Sequence, residues 1–299
     1  MEAQRVIVAV KWGPSAGRKA VVAPGEVLRV GRGALADLVI PNDLQLSPVH
    51  FELTWDGERC SFRDLQSARG TLRNGDPGAA EGEIKHGDWL KAGETVLTVH
   101  LEGATTPAPF DMDDDVDEDD DEARREREAE KERAAAAELA LPELRSSATA
   151  PLYAVLDSAR DPRILELLRE SVEEHHSLYD GIEGETMAHV APYLVRLSRE
   201  SRLLAALVRE GWGKRWGIYL TSTQPFAIVR RRLRRYLMVE RQDRQERVYF
   251  RFYDPAVLGV FLPATTVLQR AELFAGTGEM IFEGERGLVT VARAVLQEL

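Results

Sequence analysis

Apolar residues recur at alternate positions through the first hundred residues, in short runs broken by turn signals. Arg-Val-Ile-Val-Ala-Val (5–10) opens the series. Val49, Phe51, Leu53 and Trp55 then alternate with His50, Glu52 and Thr54, the period of a strand with one buried face. Asp56-Gly57, Asn74-Gly75, His86-Gly87 and Ala92-Gly93 punctuate the region, and Glu94–Leu101 closes it with Val96, Leu97 and Val99. Many short strands with regular turns predict an all-β sandwich over residues 1–102.

The alternation stops at Gly103. Thr-Thr-Pro-Ala-Pro leads into Asp-Met-Asp-Asp-Asp-Val-Asp-Glu-Asp-Asp-Asp-Glu (111–122), which has little apolar surface to bury. Its like charges push it into an extended, disordered coil. Residues 123–139 are rich in Ala, Glu and Arg without a continuous apolar face, which suits a solvated helix. The span 103–150 reads as an acidic linker: a soluble tether, or an arm that docks on a basic surface of the second domain.

From Pro151 strands and helices alternate. Leu152–Leu156 is a continuous apolar run, the mark of a strand buried on both faces. Asp161-Pro162 supplies an N-cap and a proline at the first helical position, and Ile164, Leu165 and Leu168 give that helix its stripe. Tyr193–Leu197 is a strand, 200–210 a helix with Leu203, Leu204, Leu207 and Val208 on one side, and Gly217–Leu220 a strand. A helix follows over about 225–240, then a strand over Val248–Tyr253 and a second Asp-Pro start at Asp254-Pro255. The tail 265–299 mixes helix with a short strand near Met280–Phe282. The alternation predicts an α/β domain over 151–299, a mixed sheet with surrounding helices.

Composition narrows the function. The 299 residues leave room for two ordinary domains, 44% hydrophobic residues allow real cores, and 30% charged residues point to a soluble protein. Cys60 is the only cysteine, which excludes an intrachain disulfide and fits a reducing compartment. The N-terminus lacks a basic flank and no apolar run reaches membrane-spanning length, so a cytoplasmic protein without membrane insertion is expected. The net charge of −11 is uneven. Residues 1–102 carry 12 basic and 14 acidic side chains, 103–150 carry 6 and 16, and 151–299 carry 21 and 20. This balance argues against nucleic acid as a partner.

Candidate chemistry concentrates between Gly31 and Gly75. Arg32 offers a planar fork of donors that suits phosphate, Ser47 of Ser-x-x-His adds a hydroxyl, and Asn74 an amide able to clamp a peptide backbone. Singly, each has an ordinary explanation: Asn-Gly is a hairpin turn and a strand-end arginine is usually solvated. In order, Gly-Arg, Ser-x-x-His and Gly-Thr-x-x-Asn-Gly resemble the forkhead-associated (FHA) domain, a reader of phosphothreonine peptides, over about residues 5–101. The resemblance implies that Arg32 and Ser47 contact phosphate, that His50 braces the loops, and that Asn74 holds the ligand's main chain. Gly31, Thr71 and Gly75 match structural positions. Pro48 departs from the pattern, because the family often has a polar or basic residue there and proline brings neither a side-chain donor nor an N–H.

A second resemblance rests on Leu-Tyr-Ala-Val-Leu-Asp-Ser-Ala-Arg-Asp-Pro (152–162), Ala-Pro-Tyr-Leu-Val (191–195), Trp-Gly-Ile-Tyr-Leu-Thr-Ser (216–222) and Phe-Arg-Phe-Tyr-Asp-Pro (250–255). These blocks resemble the adaptor-chaperone domain of bacterial type VI secretion over about 151–283. The resemblance implies a non-enzymatic partner that binds a secreted effector and helps load it onto the valine-glycine-repeat spike protein. In longer members a helical lobe follows the α/β part, which this chain does not extend to.

Enzyme readings are weaker. Gly211-x-Gly213-x-x-x-Gly217 ends a helix and precedes a strand, the reverse of a dinucleotide fingerprint, and no nucleophile elbow or Walker-type loop is present. His175, His176 and His189 with Asp180 and Glu185 match no metal-ligand spacing, so no metal or other cofactor is expected. Asp157, Asp180 and Asp254 stand at strand ends, where α/β enzymes place catalytic groups, although Asp254 also caps a helix. Arg230, Arg231, Arg232, Arg234 and Arg235 crowd one helix whose apolar positions are Phe226, Val229, Leu233 and Leu237. Charges outside a buried stripe are ordinary, but five cations without an acid suggest a face for an acidic partner. The sequence thus reads as a two-domain adaptor: a phosphothreonine reader tethered to an effector chaperone. The alternatives are a signalling scaffold without a secretion role, and an enzyme using the strand-end carboxylates.

Overall fold

The alternation of the first region closes into two five-stranded sheets. In the computed structural model, which describes residues 4–76, 80–105, 121–147, 150–179, 187–241, 246–273, 275–284 and 287–292, one sheet has the order β2 (Lys19–Val22), β1 (Val6–Trp12), β10 (Thr95–Leu101), β9 (Trp89–Ala92), β7 (Thr71–Arg73). The other has the order β4 (Leu38–Val39), β3 (Val27–Gly31), β5 (Phe51–Trp55), β6 (Cys60–Asp64), β8 (Glu81–Ile84). Strands β3 and β4 pair in parallel, and the other ladders of these two sheets are antiparallel. Along β5, Phe51, Leu53 and Trp55 are buried while Glu52 and Thr54 are not, which is the period-two pattern in space. Each such side chain contributes roughly 1.5–3 kcal/mol by leaving water. The inner faces pack Val6, Val8, Val30, Ile40, Phe62, Leu90, Leu97 and Val99 into one core. Trp55, almost fully buried, satisfies its indole N–H on the Gln4 carbonyl at 2.8 Å.

The chain divides into two compact units, Met1–Thr106 with Arg169–Val172, and Pro107–Leu168 with Glu173–Leu299. Most of the acidic run expected as coil, residues 111–120, lies outside the described residues.

The second unit is built on a six-stranded sheet ordered β12 (His175–Ser177), β13 (Pro192–Leu197), β11 (Leu152–Asp157), β14 (Gly217–Thr221), β17 (Glu279–Gly284), β18 (Gly287–Ala292). Its ladders are antiparallel. Central β11 is buried throughout because apolar elements cover both faces. Leu152, Ala154 and Leu156 point into one core, and Tyr153 and Val155 into the other. The first core is covered by α1 (Asp121–Ser147), α2 (Arg163–Arg169) and α3 (Arg202–Gly211); the second by α4 (Phe226–Arg235), α5 (Pro255–Ala264) and α6 (Val267–Leu273). Close packing shows at Gly217, where a Cβ would meet the Val155 carbonyl oxygen at 2.0 Å.

Three expectations are corrected here. The helix expected over 123–139 runs to Ser147, and its last turns are not solvated: Ala137, Ala140, Leu141 and Leu144 are buried in the first core. Their three- and four-residue spacing makes one helical face. The helix expected over 225–240 ends at Arg235, and Met238–Arg241 forms strand β15, which pairs with β16 (Glu246–Tyr249). The strand expected over Val248–Tyr253 accordingly stops at Tyr249, and Phe252 and Tyr253 bury as loop residues.

Candidate functional site

Three loops of the first unit are sewn together by backbone and imidazole hydrogen bonds. The first follows β3 and carries Arg32, the second carries Ser47 to His50, and the third joins β6 to β7 through Leu65 to Gly70. Arg32 N–H donates to the Ser47 carbonyl at 3.1 Å and Gly33 N–H to the Pro48 carbonyl at 2.9 Å. This close approach explains Gly31, where a Cβ would meet Pro48 O at 2.3 Å. His50 N–H donates to Val30 O at 2.8 Å and Leu65 N–H to His50 O at 2.9 Å.

His50 is 0% exposed. Its Nδ1 accepts from Ser47 N–H at 3.0 Å, so Nε2 carries the proton and donates to Gly70 O at 3.1 Å. The ring therefore ties the second loop to the third. The Ser47 hydroxyl accepts from Ala68 N–H at 3.1 Å, which leaves its own proton to donate elsewhere.

Asp64, which sequence reasoning did not single out, shapes the third loop. It accepts from Ser67 N–H, Ser67 Oγ and Thr71 Oγ1, each at 2.7 Å. Burial pushes this carboxyl up, but the Thr71 and Ser67 donors outweigh it, and the group sits below its usual range. Thr71, 4% exposed, is thereby a structural residue. Gln66 and Gly70 take left-handed conformations, φ 56 and 71, on either side of Ala68 and Arg69. The outcome is a rigid rim with Arg32 exposed at its edge and Ser47 half-buried beside it.

Asn74 is not brought to this rim. It follows β7 whereas Gly70 precedes it, and four residues of extended chain span about 13 Å. Its amide Nδ2 donates to Asp88 Oδ1 at 2.7 Å, its Oδ1 accepts from Trp89 N–H at 2.9 Å, and its φ is 51. Asn74 thus closes a turn, with Gly75 (φ 88) behind it. The residue that the fold places next to Gly70 is Arg69, exposed and unremarked in the sequence because nothing local distinguishes it.

In the second unit the strand-end carboxylates are occupied by arginines. Asp157 and Asp254 are each 2% exposed. Asp254 accepts from Arg215 Nε at 2.9 Å, from Arg215 Nη2 at 2.6 Å to both oxygens, and from Arg160 Nη2 at 2.6 Å. It also caps α5 through Ala256 N–H at 3.1 Å. Burial raises Asp254, and the Arg215 and Arg160 guanidiniums more than reverse that, leaving it below the ordinary carboxylate range. Asp157 accepts from Arg251 Nη2 and stands 3.7 Å from Arg160 Nε. Charge-assisted bonds of this kind make both carboxylates anchors for the arginines.

The histidines do not converge. His175 stacks edge-on to Tyr193 and His176 to Phe226, while His189 lies exposed on a short 3-10 turn. Asp180 and Glu185 lie outside the described residues. Among the described residues no group of three or more His, Cys, Asp or Glu is placed to hold a metal ion. Cys60 is buried, and that burial pushes its thiol up to about 12, so it is unreactive.

The five arginines of α4 divide. Arg230 turns inward and donates to Ser177 O at 2.7 Å and Tyr179 O at 3.0 Å, so it belongs to the fold and not to a partner face. Arg232 packs its guanidinium against Gly276, whose added Cβ would sit 2.3 Å from Nη1. Arg234 is partly buried, and Arg231 and Arg235, one turn apart, are exposed.

Each unit matches one family. Residues 10–103 match the family described as the inner membrane component of T3SS, cytoplasmic domain. Residues 152–272 match the family described as a domain of unknown function, DUF4123. The N-terminal unit is a β-sandwich of two five-stranded sheets. Similar solved structures include an FHA domain studied for phosphothreonine-dependent interactions (28% identity, TM-score 0.30, covering 34% of this chain and 98% of that one). Others are an FHA domain from Arabidopsis thaliana (26%, 0.31, 35% and 92%) and one from Chlamydia trachomatis (19%, 0.31, 32% and 96%). No curated protein matches the chain. No helix among the described residues is long and apolar enough to cross a membrane.

Proposed function

We propose that this protein is a non-enzymatic adaptor that reads phosphothreonine with its first unit and handles a type VI secretion effector with its second. The observation that carries the first half is the His50 brace. It ties the Ser47 loop to the Leu65–Gly70 loop, and the Arg32 and Gly33 N–H bonds to the Ser47 and Pro48 carbonyls join the Arg32 loop to them, with a cation and a hydroxyl proton available at one rim. An Arg fork and a hydroxyl are the donors a phosphate monoester needs, and preorganised loops lower the ordering cost of binding. Arg32 and Ser47 contact the phosphate, while Gly31, His50 and Thr71 maintain the rim.

The second half rests on the DUF4123 match over 152–272. The second unit binds the effector and delivers it to the spike protein, with Arg231 and Arg235 as an exposed basic edge for an acidic stretch of either partner. The two functional domains, one before and one after the acidic segment, act in the cytoplasm, and the segment raises the local concentration of what each end holds.

Full-length protein and its Arg32→Ala variant, used as bait in the native cells, test both halves. The expected result is a toxin-like or spike protein retained by both baits, and a phosphorylated protein lost from the variant alone. Retention of the same phosphorylated protein by Arg32→Ala would sink the first half; absence of any secretion component from both baits would sink the second.

A further inference from the structure

Arg69 is held at the phosphate rim by both of its neighbours. Ala68 N–H bonds to the Ser47 hydroxyl, and Gly70 O receives the His50 Nε2 proton. Its main chain is therefore fixed between the two residues that the second loop contributes to the site. The left-handed Gln66 and Gly70 and the Asp64 bonds to Ser67 and Thr71 stiffen the loop around it. Its side chain is exposed, as is that of Arg32 on the facing loop.

A threonine phosphate near neutral pH carries a charge of about −1.5 to −2, more than one guanidinium neutralises. The position after Ser47 adds nothing, because Pro48 has no N–H and no polar side chain. We propose that Arg69 is the second cationic contact of the phosphate, completing with Arg32 a two-arginine clamp on the dianion. This inference rests on the phosphothreonine reading of the rim. It assigns a ligand contact to a residue that the sequence motif leaves unmarked. A clamp of two guanidiniums favours the dianion over the monoanion, so affinity rises as pH passes the second phosphate pKa near ~6.

The test uses full-length protein and a degenerate phosphothreonine peptide library with its unphosphorylated counterpart, with affinities read by fluorescence anisotropy at about pH 7.5 and about pH 5.5, on either side of that pKa. Arg69→Ala should weaken phosphopeptide binding about tenfold at the higher pH, the loss of one charge-assisted contact. The loss should be smaller at the lower pH and uniform across flanking sequences. Arg69→Lys, which keeps the charge without the fork, should recover part of the affinity, an outcome that lost folding would not give. If Arg32→Ala abolishes binding while Arg69→Ala stays within twofold of wild type, the clamp is overturned and the reader stands. A loss confined to peptides with acidic flanks overturns the phosphate assignment of Arg69. Wild-type protein that does not distinguish the two libraries overturns the reader and the clamp together.

Discussion

Both units place arginines at the ends of β-strands, but the charges are used oppositely. In the second unit Asp254 takes up Arg215 and Arg160, and Asp157 takes up Arg251; the carboxylates are buried and the guanidiniums lock loops onto strand β11 and helix α5. In the first unit the acid nearest the rim, Asp64, is saturated by Ser67 and Thr71. Arg32 and Arg69 are left pointing into solvent. The same residue type therefore stabilises the chain in one place and is available to a ligand in the other. What decides is whether the fold brings a carboxylate to it.

The largest expected effect is on the locked side. Asp254→Ala removes a helix cap and leaves Arg160 and Arg215 without their shared anion. The second unit should lose about 3 kcal/mol in chemical denaturation, the scale for breaking a buried ion pair. Phosphopeptide affinity should not change; a parallel loss there would break the contrast. Next comes Arg32→Ala, with the opposite profile: affinity falls roughly 30-fold or more as a charged hydrogen bond is lost, and stability moves by less than about 0.5 kcal/mol. Unfolding by this variant would mean that Arg32 is structural too. Salt sharpens the comparison further. Raising ionic strength should weaken phosphopeptide binding progressively, while the denaturation midpoint of the second unit shifts little, because buried pairs are screened less.

The smallest effect is with acid. Asp64 and Asp254 are both held below the ordinary value of 3.8. A carboxyl depressed in the folded state contributes its stability fully above the unfolded value and loses it as pH falls through the folded one. Both units should thus hold these contributions down to about pH 4 and lose them below it. Loss of either unit's contribution near pH 6 in a thermal scan would show that other groups govern it.

The sequence made the Arg32, Ser47 and His50 positions legible because they belong to one ordered local motif, and the strands around them carry their period openly. It did not reveal the turn that Asn74 closes, since a linear motif does not say that Gly70 and Asn74 stand at opposite ends of β7. Asp157 and Asp254 looked like candidate acids because their partners, Arg160, Arg215 and Arg251, come from separate parts of the chain and only folding assembles them. In the α4 region Leu237 continues the helical spacing of Phe226, Val229 and Leu233 past Arg235, so the switch to strand β15 leaves no break in periodicity. Arg69 was invisible for a different reason: its position depends on which atoms its two neighbours bond.

Helix α1 has a practical consequence for anyone dividing the chain. A truncation that begins at Pro151 discards Ala137, Ala140, Leu141 and Leu144 and uncovers apolar side chains of the core they share. It also removes Glu138 from Arg209. Such a fragment would present a sticky apolar patch and draw proteins from a lysate nonspecifically. A fragment meant to isolate the effector-handling half should begin ahead of Asp121, keeping the acidic side of the boundary with it.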